Sequence, residues 1–87
     1  MPELTMKEIH QRATRLRDAL AAAGQADEAL RMHDWLTCAW TTSSEALVEL
    51  LTTLDQIREA WERRLGAADV ALADQLVSDS RDLLNFK

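Results

Sequence analysis

Eighty-seven residues make one domain, and 47% hydrophobic with 29% charged residues is the composition of a chain that folds rather than one that stays disordered. The net charge of −5 and an isoelectric point near 4.8 oppose contact with a phosphate backbone, which needs clustered Lys and Arg, so no direct nucleic-acid binding is expected. Two glycines, one proline and no tyrosine leave little turn or strand chemistry, while Ala, Leu, Glu, Gln and Arg dominate, so the fold class is all-α.

The first residues lack the apolar core of a signal peptide, and the longest purely apolar runs are about five residues against the roughly 20 of a membrane span. The reading is a soluble, cytoplasmic chain with no membrane partner. Cys38 is the one cysteine, which excludes an internal disulfide.

The first helix starts at a capping box, Thr5 with Glu8, in which hydroxyl and carboxylate satisfy each other's backbone amides. Leu4 and Ile9 stand at the spacing of a hydrophobic staple. Met6, Ile9, Ala13, Leu16, Leu20 and Ala23 follow at three-four spacing, so the helix is predicted over Met6–Ala23, with Gly24 as the left-handed residue that ends it. Its outer side is net basic, with Lys7, Arg12, Arg15 and Arg17 against Glu8 and Asp18.

From Ala26 to Leu65 an apolar ridge runs at helical spacing through Ala29, His33, Leu36, Trp40, Ser43, Leu47, Leu50, Leu54, Ile57 and Trp61. Asp27 serves as its N-cap or as a first-turn acid. Thr41, Thr42, Ser43 and Ser44 interrupt it with poor helix formers that together cost about 2 kcal/mol relative to alanine, and Thr42 with Glu45 repeats the capping-box spacing. No Gly or Pro stands there, however, and Leu36 and Leu47 lie eleven residues apart, close to three whole turns. The spacing therefore predicts one continuous helix over residues 26–65, about 60 Å long. The alternative is a break near Thr41–Ser44, which gives a monomeric four-helix bundle.

Arg63 and Arg64 suit a helix C-terminus before Gly66, and a last helix is predicted over residues 68–84. Val70, Ala73, Leu76, Val77, Ser80, Leu83 and Leu84 form its inner face, with Asp74, Asp79, Arg81 and Asp82 outside; Phe86 follows as a residue that could dock. Gly24-Gln-Ala-Asp-Glu-Ala-Leu30 and Gly66-Ala-Ala-Asp-Val-Ala-Leu72 echo each other. The first copy resembles the turn between the helices of a tetratricopeptide unit over about ten residues. The copies lie 42 residues apart, not the roughly 34 of that family, so the echo reads as shared turn chemistry rather than as a repeat.

A three-helix chain with a long central helix is two helices thick along its length, and such pairs complete their core with a second copy, so a homodimer is expected. The candidate interface is the weakly polar second face of the long helix: Trp35, Ala39, Thr42, Ser43, Ala46 and Ala60. Trp35, an aromatic off the ridge, is its most telling member.

Catalytic chemistry finds little support. His33 on the ridge reads as a core histidine, no His, Cys, Asp or Glu spacing makes a metal signature, and Cys38 has neither a neighbouring base nor a helix N-terminus. The glycine loops that cradle phosphates are absent, so no enzyme activity, cofactor or metal is expected. Glu8–Arg12, Asp27–Arg31 and Glu59–Arg63 are i,i+4 ion pairs worth a few tenths of a kcal/mol each. Two functional readings remain. One is a self-associating interaction module that scaffolds or regulates a larger protein. The other is an acidic stoichiometric inhibitor, of the immunity, antitoxin or phage-antagonist kind, that masks a basic surface through Asp27, Glu28, Asp34, Glu45 and Glu49.

Overall fold

The computed structural model describes residues 5–85. These form α1 (Met6–Ala22), α2 (Ala26–Thr37), α3 (Ser43–Arg64) and α4 (Ala67–Asn85), with no strand among the described residues. Leu4 of the expected staple and Phe86 lie outside them.

The start of α1 is the capping box: Glu8 N donates to Thr5 Oγ1 at 3.3 Å, and Thr5 N to the Glu8 carboxylate at 3.4 Å. Gly24 adopts φ 79, which turns the chain without the clash a Cβ brings, and α2 runs back along α1. The second turn is built differently. Leu65 ends α3 in an extended conformation, φ −96 and ψ 154, and Gly66 is not left-handed, so the echoed residues do not share a turn. Asp27 lies in the first turn of α2, where a carboxylate favours the helix dipole, and Gln25 takes the cap position without a side-chain bond.

The continuous central helix is replaced by a break over residues 38–42, the expected alternative in helix count. Cys38 and Thr42 are both extended, and the Thr42 hydroxyl accepts from Glu45 N at 3.1 Å, a new N-cap. The indole Nε1 of Trp40 donates to the carbonyl of Trp35 at 3.2 Å, which satisfies an acceptor at the end of α2. Magnitudes explain why the chain folds back. Continuing the helix would add a few backbone hydrogen bonds, each worth about 1 kcal/mol net, through residues of poor helix propensity. Turning buries Met32, Trp35, Leu47 and Leu50 against one another's layers, each worth about 1.5–3 kcal/mol or more.

The four helices form a ring around one core. α1 packs on α2 and α3 on α4; α1 against α4 and α2 against α3 join the two hairpins, the latter more sparsely. The radius of gyration, 12.2 Å, matches the roughly 12 Å of a folded chain this long. Ile9, Leu16 and Leu20 of α1, Met32 of α2, Leu50, Leu54 and Trp61 of α3 and Leu76 of α4 are wholly buried. The ridge is thus correct at Ala29 and from Leu47 to Trp61, with Leu36 and Trp40 half-buried against the core, and wrong at His33 and Ser43. His33 is exposed, Ser43 is exposed, and Met32 and Trp35 occupy the inner face of α2 instead. His33 stands one residue, about 100°, from the buried Met32, so the predicted face took the histidine in its place.

Across the α1–α4 contact Arg12 bonds Asp79, whose other carboxylate oxygen accepts from Gln75 Nε2 at 2.8 Å. Asp79 is therefore an inter-helix anchor and not part of an outer face. Of the expected i,i+4 pairs, Glu59–Arg63 forms at 3.1 Å, while Arg12 and Arg31 turn to other helices. Ser80 is wholly buried, and its hydroxyl has no hydrogen-bond partner among the described residues.

Two stability outcomes follow from this packing. Thr42→Ala, which removes the α3 cap, should lower unfolding free energy by about 1 kcal/mol in denaturant titrations. Ser80→Ala should leave it unchanged or raise it by up to about 1 kcal/mol, because it removes a buried hydroxyl that earns no bond.

Candidate functional site

The seam between α2 and α3 is the sparser of the two contacts that join the hairpins, and a concavity of the surface lies along it. Antiparallel α2 and α3 diverge around a cleft of about 320 Å³. Arg31, Asp34, Trp35 and Cys38 line one wall; Glu49, Thr53 and Gln56 line the other, with Trp40 of the link at one end. Arg31 Nη1 donates to Gln56 Oε1 at 3.1 Å and bridges the walls. Beyond that bridge the seam continues into a second hollow of about 280 Å³, where Glu28 of α2 faces Glu59, Ala60, Arg63 and Arg64 of α3.

Trp35 sets the width of the cleft. Its indole Nε1 donates to the Ala46 carbonyl at 2.9 Å, and its ring lies against His10 of α1, centroids 4.8 Å apart and planes tilted by 50°. This one side chain thus ties α2 to both neighbours, and only 3% of it is exposed. The aromatic expected on a solvated face is interior, with its edge on the cleft.

The six candidate interface residues do not share a face. Trp35 and Ala46 are buried within the chain, Ala39, Thr42 and Ser43 are exposed around the link, and Ala60 is half-buried in the second hollow. Thr42, Ser43 and Ala46 do border a further hollow of about 320 Å³ beside the link, with Met6, His10 and Trp40. The break disperses the rest, since a wheel drawn through residues 35–60 as one helix has no counterpart in the folded chain.

The acidic candidates are brought together more closely. Asp34 and Glu49 stand on opposite walls of the cleft, and Glu28 lines the adjoining hollow; Asp27 and Glu45 are exposed outside both. Among the described residues none of the five forms an ion pair. The basic side of α1 does not neutralise them, because Arg12 is held by Asp79, and Arg17 by its neighbour Asp18 at 3.1 Å while its Nη1 lies 3.5 Å from His33 Nδ1.

For catalysis the arrangement offers little. Cys38 is exposed, and no three His, Cys, Asp or Glu side chains converge into a possible metal site among the described residues. No helix among them is long and apolar enough to cross a membrane. No family model matches the chain, and no curated protein or solved structure shows a significant match.

Sequence reasoning missed Arg31, Thr53 and Gln56 as cleft residues. Arg31 was assigned to Asp27 by i,i+4 spacing, and no local signal reveals that a polar partner 25 residues away would take it. Arg31→Ala should open the cleft while costing under about 1 kcal/mol of stability, since the bridge is exposed. Circular dichroism during thermal unfolding checks the second point, and increased acrylamide quenching of tryptophan emission checks the first.

Proposed function

We propose that this chain is a non-enzymatic protein-interaction module that receives a basic segment of a partner along the α2–α3 seam. The observation that carries the reading is the pair Asp34 and Glu49, which face a common cleft from two helices and form no ion pair among the described residues, the Arg31 that lines the same cleft being bonded to Gln56. Carboxylates on two walls can grip a guanidinium from both sides, and Arg is the cation whose planar fork matches such acceptors. Trp40, half-buried at one end of the cleft, adds apolar surface against which the aliphatic stem of an Arg side chain can lie. Glu28 lies in the second hollow, where Arg63 and Arg64 offset its charge, so the acidic stretch is confined to the cleft.

The overall charge of −5 adds long-range attraction, which raises the association rate with a cationic partner and makes it sensitive to salt. Stoichiometric masking of a basic surface is the simplest use of such a cleft. Scaffolding of a larger protein would use the same contact. The chain in this reading acts in the cytoplasm, without cofactor or metal.

The test titrates an Arg-rich helical model peptide into the protein and follows tryptophan emission and binding heat. Binding at low salt should weaken steeply as ionic strength rises through 0.15 M, where charges screen over about 8 Å. The double variant Asp34→Asn with Glu49→Gln should weaken it about tenfold, or about 1.4 kcal/mol. Equal binding by that variant would remove the cleft from consideration, and equal binding after the remaining acids Asp27, Glu28 and Glu45 are also neutralised would end the reading.

A further inference from the structure

We propose that residues 38–42 are a hinge through which two copies of this chain exchange their α1–α2 hairpins, giving a dimer in which α2 and α3 of each copy run on as a single helix. The evidence is the phase of the buried faces. Besides Trp35, the inner residues of α2 are Ala29, Met32 and, half-buried, Leu36, and these three match Leu47, Leu50 and Leu54 of α3. Each α2 residue lies eighteen positions before its α3 counterpart, which is five turns of about 3.6 residues. A helix continued through the link would therefore carry both inner faces on one stripe. Two helices that merely pack as antiparallel neighbours have no need of that phase.

The link itself raises no barrier to straightening. Cys38-Ala39-Trp40-Thr41-Thr42 contains no Gly, Pro, Asn or Asp, and the positive φ among the described residues belongs to Gly24, far from it. What holds the bend is small. Trp40 Nε1 occupies the Trp35 carbonyl, the acceptor that the amide of Ala39 would take in a continuing helix, and Thr42 caps Glu45.

The occupant must be a second copy, because only an identical chain reproduces the surfaces being exchanged. The α1–α4 and α2–α3 contacts, with the Arg12–Asp79 and Arg31–Gln56 bonds, would form between copies as they do within one. Exchange of identical elements is a low-cost route to a dimer. The acidic cleft survives in each four-helix section, so this inference stands independently of peptide binding.

The test is a charge-swap complementation. Arg12→Asp and Asp79→Arg each put like charges across the α1–α4 contact of a closed chain. In an exchanged heterodimer of the two, both contacts regain opposite charges. The variants are unfolded together and refolded at high concentration, then sized by chromatography with light scattering. A one-to-one heterodimer of twice the chain mass is expected, melting several degrees above either variant alone. Mixing that yields no heterodimer, or no higher midpoint, overturns the proposal. Adding Thr41→Pro to both chains should abolish the heterodimer, since proline is incompatible with a helix interior, while the Thr41 amide donates to no backbone carbonyl in the bend. Persistence of the heterodimer with proline present would also overturn it. The unsubstituted chain refolded in the same way should give a dimer that Thr41→Pro removes, which keeps the test decisive if either charge variant fails to fold alone.

Discussion

The bundle turns on Trp35. Its indole closes three elements at once: the ring covers His10 of α1, the N–H reaches the Ala46 carbonyl of α3, and its own backbone carbonyl receives the indole of Trp40. Burying so large a side chain contributes more than any local preference in the link. In a buried setting the N–H gains an acceptor in the first turn of α3, the Ala46 carbonyl, which ties that turn to α2. The bend at residues 38–42, the width of the α2–α3 cleft and the placing of Asp34 and Glu49 all follow from that clasp.

Around it the helices divide their labour. The α1–α4 face is secured by hydrophobic layers and by Arg12 on Asp79, a carboxylate with only 13% of its side chain exposed and both oxygens engaged. The α2–α3 face is thinner. Arg31 bridges it to Gln56, and Asp34, Glu49 and Glu28 lie along it without an ion pair among the described residues. Surface charges left unpaired contribute little to folding, and their repulsion slightly opposes it. Their clustering beside an open seam is accordingly of more use to a partner than to the fold. At the far end of α3, Trp61 is wholly buried under the Arg58 guanidinium, 5.8 Å from its centroid, and its indole N–H finds no acceptor among the described residues. Packing here prevails over hydrogen bonding, the reverse of the balance at Trp35.

The candidate site was legible only in part. Asp34, Glu49 and Glu28 could be named from sequence because unbalanced acids are visible in a composition window. That they would face one cleft could not, since it depends on two helices being antiparallel neighbours. The candidate interface residues are spread over several surfaces for a related reason: a helical wheel assumes one axis, and residues 35–60 follow two axes separated by an extended link.

By itself the sequence determined what is local. Helix propensity established an all-α chain; the Thr5–Glu8 box started α1; Gly24 turned it; and the three-four spacing of Leu47, Leu50, Leu54, Ile57 and Trp61 specified the inner face of α3. Each of these depends on neighbours within a turn or two. Tertiary structure alone decided whether the ridge from Ala29 to Trp61 would be one helix or two. The local terms on that question nearly cancel, a few hydrogen bonds against poor helix formers and one cap, so the outcome fell to burial between distant segments. Trp35, read as a surface aromatic when the helix is drawn straight, becomes the centre of the fold once α3 returns to meet it.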